Sequence, residues 1–235
     1  IFQGYYIYAA IVSIIGIGFF LYSTIANNTR IGGAMYKIEA IDKRNKGVYV
    51  LTLMPVEKQI RFKAGQFVFL RFYNKRISRE SHPFSIAAGS KNKNIKVMIK
   101  DLGDFTQTLS NLNIGDKVLV DGPYGRFNKQ SYSDQVWVAG GIGITPFLGM
   151  AEDLRTDMSY TVDLYYSVKE KNEFINLDYL LAVQEKTHGK FKVMPWISDA
   201  DGHLTVDIIF KKSKGLSEKE FYLCGPQGLK DAIKN

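Results

Sequence analysis

The chain has 235 residues, of which 46% are hydrophobic and 23% charged, and its formal net charge is +8. This composition excludes an intrinsically disordered protein, and the length allows two domains of ~100–150 residues each. The single cysteine excludes an internal disulfide framework, and no nucleic-acid-binding motif accompanies the positive charge, which therefore points to phosphorylated cofactors or an anionic membrane before nucleic acid.

The first 29 residues contain no charged side chain. Within them, the apolar run from Tyr5 to Ile25 matches the ~20 residues needed to cross a bilayer. Tyrosines lie toward both ends of this run, and basic residues follow it while none precedes it, so its C-terminal side is predicted to be cytoplasmic. We therefore expect a transmembrane helix within residues 1–29. A buried core helix is the alternative, and a cleaved signal peptide would need a basic n-region.

From Met35 onward, short runs with strand character alternate with polar or Gly/Pro turns. Six such runs at close spacing are typical of a small antiparallel barrel, with one helix predicted around Phe105 to Leu109. The predicted strands are Met35 to Ile41, Val48 to Met54, Gln66 to Phe72, Ser85 to Ala88, Ile95 to Lys100 and Lys117 to Val120.

After Asp134 the pattern changes to an alternation of strand and helix. This alternation predicts a parallel sheet covered by helices, with the domain boundary near Ser131 to Asp134. The predicted strands are Val136 to Ala139, Thr161 to Ser167, Phe191 to Trp196 and Phe221 to Cys224. The predicted helices are Pro146 to Arg155, Leu177 to Lys186, Val206 to Phe210 and Pro226 to Ile233.

The sequence GGIGITPF, residues 140–147, predicts a tight turn between a buried strand and a helix. Gly141 and Gly143 let the backbone approach a ligand closely, and Pro146 suits the first turn of a helix behind Thr145. The free N–H groups and positive dipole end of such a helix favour a phosphate. A glycine turn that only packs against its neighbours is the alternative.

A second candidate site is the segment RESHPFSIA, residues 79–87, in the predicted barrel. Phe84 offers a flat apolar face, and Ser85 places a hydrogen-bond donor beside it. A flavin ring needs this pair, for stacking and for a polar contact near N5. An ordinary strand entry would have the same residues.

A third candidate site is KDLGDFTQTL, residues 100–109, about twenty residues further along. Gly103 precedes a helix start that carries Thr106, and Lys100 adds a positive charge. Such a helix start can hold a pyrophosphate. The alternative is a helix that is N-capped by Asp104 and binds nothing.

Six motifs in this order resemble those of the ferredoxin-NADP reductase superfamily, over roughly residues 36 to 235: SHPFSIA, GDFTQTL, GPYGRF, GGIGITPF, YYSVK and YLCGP. The resemblance is closest to the dehydrogenase half of NADPH oxidases and ferric reductases, bacterial ones included. It implies an N-terminal transmembrane α-helix, an antiparallel β-barrel that binds FAD over residues 33–131, and an α/β parallel-sheet domain that binds NAD(P)H over residues 132–235.

The resemblance also implies roles for residues of the flavin site. The flavin motif is matched by His82, Pro83, Phe84 and Ser85. In that motif Phe84 lies against the flavin and the Ser85 hydroxyl lies near N5, where Ser85 acts on the reacting atom. The diphosphate site is matched by Lys100, Gly103 and Thr106.

In the second domain, the resemblance implies a pyrophosphate turn matched by Gly141, Gly143, Thr145 and Pro146. Ser167 and Lys169 follow the second strand, where a basic residue favours a ribose 2′-phosphate, so NADPH is expected over NADH. NADH stays possible because lysine lacks the bidentate grip of arginine and Glu170 is adjacent.

The turn beside nicotinamide C4 is matched by Cys224, Gly225 and Pro226. The resemblance implies that Cys224 positions the reacting atoms and is not a nucleophile. A lone cysteine away from this motif would be read as a small buried hydrophobe. His188 and His203 are expected in surface loops, and no metal site is expected.

The predicted function is a flavin-dependent NAD(P)H dehydrogenase module at the cell membrane, with both domains cytoplasmic. Hydride would pass from NADPH to FAD, and single electrons would pass to membrane haems and then to dioxygen, giving superoxide, or to ferric iron. Because no histidine precedes His82, haem is expected only in a membrane domain upstream. The resemblance also implies a further C-terminal strand, so both ends are expected to be incomplete.

Two alternatives to this function stay open at the level of sequence. One is a membrane-anchored reductase whose flavin passes electrons to a soluble acceptor such as ferredoxin or free flavin. The other is a flavin-binding membrane protein without catalytic turnover.

Overall fold

A computed structural model describes residue 8 and residues 11–21, 33–44, 47–101, 103–128 and 133–234. Of the predicted transmembrane span from Tyr5 to Ile25, it thus covers Tyr8 and residues 11–21, which are helical and exposed. No helix within these ranges combines the length and the apolar character that a membrane span requires. The remainder of the predicted span lies outside the described residues.

Six antiparallel strands form the first sheet, in the spatial order β4-β3-β6-β1-β2-β5. They are β1 (Ala34–Arg44), β2 (Val48–Pro55), β3 (Phe67–Tyr73), β4 (His82–Ser85), β5 (Ile95–Lys100) and β6 (Lys117–Tyr124), with a short helix α1 (Asp104–Gln107) before β6. A bridge between Ile86 and Val97 joins the two edges of the sheet. The sheet therefore closes into the barrel that the sequence predicted.

Burial alternates along the barrel strands, as it must where one face of a strand meets a core. In β3, Val68, Leu70 and Phe72 are fully buried, whereas the residues between them are partly exposed. The predicted strand from Ser85 to Ala88 was wrong at both ends, because β4 is His82–Ser85 and so begins and ends three residues earlier. Pro83 has no backbone N–H to donate, and a strand can contain proline where it lies at the edge of a sheet, as β4 does.

Four parallel strands form the second sheet, in the order β10-β7-β8-β9. They are β7 (Gln135–Gly140), β8 (Val162–Val168), β9 (Phe191–Ile197) and β10 (Glu220–Cys224). The helices are α2 (Thr145–Glu152), α3 (Leu177–Lys186), α4 (Ser198–Asp201), α5 (Val206–Lys212) and α6 (Gln227–Lys234). The predicted α/β alternation is confirmed, and only the short helix α4 was not predicted. The boundary predicted near Ser131 to Asp134 falls partly on residues 129–132, outside the described part.

Helix α2 lies against the barrel. A Cβ atom on Gly149 would come within 2.6 Å of the Ala88 carbonyl oxygen, so a side chain there would push the helix off the barrel. Met98 of β5 is buried in the same apolar cluster as Phe147 and Met150 of α2. One hydrophobic core therefore extends across the boundary between the two domains.

Candidate functional site

The order of strands in the second sheet reverses at β7. Strands β8 and β9 lie on one side of it and β10 lies on the other. Crevices at the carboxyl ends of strands at such a switch point are where open parallel sheets bind ligands. A cleft of about 560 Å³ opens there, and its lining includes Lys100, Gly141, Ser167, Lys169, His203 and Pro226.

Gly140 and Gly141 of the glycine turn both line this cleft, and Gly141 has open space in front of its backbone. Its φ is 52°, in the left-handed region that favours glycine, and a Cβ atom there would meet nothing within 4 Å. The 3₁₀ turn Gly141–Ile144 leads directly into α2, whose N-terminal dipole favours an anion. The backbone at Gly141 is therefore accessible to a phosphate group.

The two neighbouring glycines serve packing. A Cβ atom on Gly143 would overlap the backbone of Cys224 and lie 2.9 Å from the Gly225 Cα. A Cβ atom on Gly140 would lie 2.7 Å from Cδ of Pro226. The missing side chains thus allow the turn after β7 and the turn after β10 to touch, and this contact forms the floor of the cleft.

Thr145 and Pro146 are buried beneath the turn. The Thr145 side chain donates to the Ile142 carbonyl oxygen at 2.7 Å, and the residue is only 3% exposed. Neither residue lines the cleft. Both shape the start of α2, and a direct contact with a dinucleotide stays a prediction for them.

Polar residues from the ends of β8 and β9 line the far side of the cleft. Ser167 and Lys169 are where the sequence placed them, and Ser198 and His203 join them. His203 lies in an exposed loop, as predicted, and its place in the cleft lining was not predicted. Because neighbouring parallel strands end at the same edge, the residues after β9 could have been included from sequence. A carboxylate also lies nearby, since Glu173 accepts from the Lys169 N–H at 3.3 Å.

His82, the histidine of the flavin motif, lies at the start of β4. Its ring stacks on that of Phe105, with 3.7 Å between centroids, which joins the flavin motif to α1. Its Nε2 is buried and has no hydrogen-bond partner among the described residues, although a carboxylate oxygen of Glu80 lies 3.7 Å away. A buried ring nitrogen without a partner is destabilising, and a ligand oxygen would satisfy it.

The N-cap of α1 is Gly103, so the alternative with Asp104 as the cap was wrong. The Thr106 hydroxyl accepts from the Gly103 N–H at 3.0 Å and lies 3.2 Å from a carboxylate oxygen of Asp101. This hydroxyl is therefore satisfied within its own turn. A diphosphate bound there would have to take the place of the Asp101 carboxylate.

Phe84 and Ser85 are half-buried at the end of β4, and Phe84 packs partly against the barrel core. Three residues further along, Ala88 contacts Gly149 of α2. Lys100, at the end of β5, lines the cleft together with residues of the second domain. The flavin segment therefore leads into the contact between the two domains, and the cleft is lined from both of them.

Cys224 is half-buried and packs against the core of the second domain. Burial raises the pKa of its thiol, and the nearby charge of Lys230 opposes the rise only in part. The thiol is therefore protonated at neutral pH and behaves as a small apolar group, as a positioning role requires.

These residues fit two dinucleotide cofactors. The unpartnered Nε2 of His82 suits an anionic oxygen on the barrel, and the open backbone at Gly141 suits one in the cleft. Within the described residues there is no group of three or more His, Cys, Asp or Glu side chains that could hold a metal ion.

Two protein families match the chain. Residues 35–128 match an FAD-binding domain, and residues 137–235 match an oxidoreductase NAD-binding domain. The two matches correspond to the barrel and to the parallel-sheet domain. They support an oxidoreductase with an FAD-binding and an NAD-binding domain, and they do not single out the NADPH oxidase and ferric reductase branch.

Characterised relatives include electron-transfer components of oxygenases. The chain is 26% identical to the reductase component of propane 2-monooxygenase from Mycolicibacterium smegmatis, over 83% of this chain and 61% of the relative. It is 26% identical to the electron transfer component of 2-halobenzoate 1,2-dioxygenase from Burkholderia cepacia, over 80% of this chain and 57% of the relative. The chain thus spans about six-tenths of these relatives' length.

Solved structures show the same two-domain fold. The cytochrome P450 reductase of Amycolatopsis superposes with a TM-score of 0.74 at 22% identity, covering 85% of this chain and 63% of that one. Ferredoxin-NADP⁺ reductase from Plasmodium falciparum superposes with a TM-score of 0.71 at 19% identity, covering 85% of this chain and 88% of that one.

Proposed function

We propose that this chain, a flavoprotein oxidoreductase carrying the FAD-binding and NAD-binding domains of the ferredoxin-NADP reductase superfamily, is an NADPH-preferring reductase module. Bound NADPH and FAD supply a hydride transfer from nicotinamide C4 to flavin N5, followed by release of single electrons. The protein's part is to align the two cofactors and exclude water. The observation that carries this proposal is the cleft at the β7–β10 switch point, which Lys100 of the barrel lines together with the glycine turn of the second domain.

On the barrel, Phe84 is proposed to pack against the flavin ring, and the Ser85 hydroxyl to donate a hydrogen bond near N5. The buried Nε2 of His82 is the group proposed to meet the diphosphate, at the place where α1 begins. Stacking of His82 on Phe105 holds the ring in one orientation, so no rotamer freedom is lost when an anion binds.

In the cleft, the backbone at Gly141 is proposed to receive the pyrophosphate, and Pro226 to line the path toward the flavin. Cys224 keeps its thiol protonated and fills space beside the nicotinamide without reacting. Lys169 is proposed to select a 2′-phosphate, against the opposing charge of Glu173.

The proposed electron acceptor is a haem in a membrane domain of the same protein, which would reduce dioxygen or ferric iron. This finer proposal is supported by the uncharged run over residues 1–29 and by the order of the six motifs. In it, the reductase domains face the cytoplasm and the cell membrane is the location.

A second candidate acceptor is a soluble redox protein. The observation that favours it is that two relatives are reductase or electron-transfer components of oxygenases, over about 80% of this chain. Membranes that contain the full-length protein separate the two candidates. Anaerobic NADPH should shift the haem Soret band in the first case, whereas the second requires an added soluble acceptor.

The central test uses the protein loaded with FAD under anaerobic conditions. Addition of NADPH should bleach the visible flavin band within seconds, and NADH should bleach it more slowly. Flavin that binds to the protein and is bleached by neither nucleotide would overturn the enzymatic proposal and favour a binding protein.

Cofactor choice is tested by Lys169→Glu. Loss of one charged contact to the 2′-phosphate should lower kcat/KM for NADPH about tenfold and leave that for NADH nearly unchanged. Lys171→Glu is the matched control, because Lys171 is an exposed lysine two residues away that does not line the cleft. An unchanged preference in the first variant, or the same change in both, would remove Lys169 from the site.

A further inference from the structure

The last turn of α2 is bonded to a turn of the barrel, residues 89–92, through two consecutive carboxylates. Glu152 contributes both of its oxygens: Oε2 accepts from the Gly89 N–H at 2.9 Å, and Oε1 accepts from the Asn92 side-chain amide at 2.7 Å. The first carboxylate is thus held by two donors at once, one of them a backbone group whose position cannot adjust.

The neighbouring carboxylate continues the pattern. Asp153 accepts from the Ser90 N–H at 2.9 Å and from the Ser90 hydroxyl at 2.5 Å. The same hydroxyl accepts from the Ala64 N–H at 2.9 Å, which ties the contact to a second segment of the barrel. Both carboxylates belong to the nucleotide-binding domain, and all of these donors belong to the barrel.

The bonded elements are the ones that carry the two cofactor sites. The turn at 89–92 begins four residues after Ser85, and α2 is the helix that starts at the Gly141 turn. Gly141 precedes Gly149 by eight positions, the first four through the 3₁₀ turn and the rest through α2, which gives ~14 Å along the axis at ~2.0 and ~1.5 Å per residue. A tilt of ~5° about Gly149 would therefore move Gly141 by ~1 Å, given that helix rise.

The apolar contact between α2 and the barrel does not fix that angle. Burial of Met98 with Phe147 and Met150 favours association, but hydrophobic burial is non-directional. Charge-assisted hydrogen bonds to backbone N–H groups are directional and depend steeply on angle. The carboxylates lie three and four residues beyond Gly149, ~5–6 Å along the axis, so together with the contact at Gly149 they hold α2 at two points and restrain its tilt.

We propose that Glu152 and Asp153 are positioning residues for hydride transfer. They set the angle of α2 on the barrel and thereby the separation between the nucleotide in the cleft and the flavin on β4. This inference rests on the proposed function, because it presupposes that both cofactors bind where the cleft and the flavin segment lie. Neither residue touches a cofactor, and no further chemical step is involved.

The test compares Glu152→Gln, Asp153→Asn and the double variant with the wild-type chain. An amide in place of either carboxylate removes the negative charge and one acceptor oxygen, so the charge-assisted bonding is lost with little change in volume. Glu185→Gln is the matched control, since Glu185 is an exposed acid of α3 whose carboxylate has no hydrogen bond within the described ranges. Asn92→Ala leaves both carboxylates in place and removes the amide that donates to Glu152 and, within the turn, to the Gly89 carbonyl oxygen.

The expected result is a separation of rate from binding. Flavin reduction at saturating NADPH should slow about tenfold in each single variant and up to about a hundredfold in the double variant, because misplacement by ~1 Å has effects of that order. The KM for NADPH and the affinity for FAD should stay within about twofold, since neither cofactor's own contacts are changed. Amide hydrogen exchange at residues 89–92 should become faster, and Glu185→Gln should match the wild type.

Each outcome decides between the claims. A wild-type protein whose flavin NADPH does not reduce overturns the proposed function and this inference together. Wild-type reduction with unchanged rates in the variants, despite faster exchange at residues 89–92, overturns the inference alone. Loss of FAD binding or of folding in parallel with the rate, in Asn92→Ala as well, makes the contact structural and also overturns it.

Discussion

The molecule contains two glycine turns that start helices and resemble each other in sequence, and the structure gives them different physical characters. At Gly141 the backbone has a positive φ and the space before it is open, while Gly143 next to it is packed against Cys224. At Gly103 the backbone is extended, with φ of −174°, and the space is also open. The three glycines therefore have different roles: one adopts a positive φ, one allows close packing, and one is in a conformation open to any residue.

The comparison shows that only the turn after β7 needs its glycines. A side chain at Gly143 would collide with backbone, and one at Gly141 would strain the chain. Gly103 adopts a conformation that any residue can adopt. The turn before α1 is thus less demanding of its sequence, and substitutions at the three positions should differ by measurable steps.

Gly143→Ala should have the largest effect. The new methyl group would overlap the Cys224 backbone and force the turns after β7 and β10 apart. We expect the free energy of unfolding to fall by about 3 kcal/mol, with NADPH-dependent flavin reduction lost. Thermal unfolding and NADPH titration measure the two effects. A variant of wild-type stability would show that the turns separate easily, and would weaken the assignment of the cleft floor.

Gly141→Ala should have an intermediate effect that appears mainly in binding. The left-handed conformation would reduce stability by about 1 kcal/mol, and the methyl group would occupy the open space in front of the backbone. The KM for NADPH should rise about tenfold, as expected if one backbone contact of roughly 1.4 kcal/mol is lost. If stability falls and KM does not change, the pyrophosphate lies elsewhere in the cleft.

Gly103→Ala should have the smallest effect. Stability should change by less than about 0.5 kcal/mol, since no atom or dihedral angle opposes the methyl group. The affinity for FAD should stay within about threefold, because an open site tolerates a methyl group at its margin. Titration of the protein with FAD measures this. Loss of FAD binding would mean that the diphosphate approaches this turn as closely as the comparison assigns to Gly141.

Much of the fold could be predicted from short apolar runs and from the Gly, Pro and polar residues that bound them. The short apolar runs of β3 and β7, each bounded by polar or glycine residues, predicted two strands. Burial alternates along β3 and is continuous along β7, a difference that the two apolar runs do not show in sequence. The start of β4 did not follow, since Pro83 is unfavourable in a strand unless the strand is at an edge. Edge position depends on the whole sheet and cannot be read locally.

Sequence reasoning placed residues at the cleft where a single local turn carries the signal. It did not place residues that reach the cleft from a distant segment of the chain. Gly141 and Lys169 line the cleft as expected from their places after β7 and β8. His203 lies in the predicted surface loop, but its part in the cleft lining was not predicted, because its turn carries no local signal of a ligand. The roles of Gly143 and Thr145 in packing could not be separated from ligand binding, since the same residue types serve both purposes.

The hydrophobic cluster that crosses the domain boundary distinguishes the two domains, because one has a core of its own and the other shares its core with its neighbour. The barrel encloses an interior made only from its own strands and loops, whereas the cluster around Trp137 and Phe147 is completed by Met98 from the barrel. The barrel precedes the parallel sheet in the chain and is synthesised first. It can therefore serve as a preformed template on which the later half assembles, and the reverse order would leave that half with an unfinished interior.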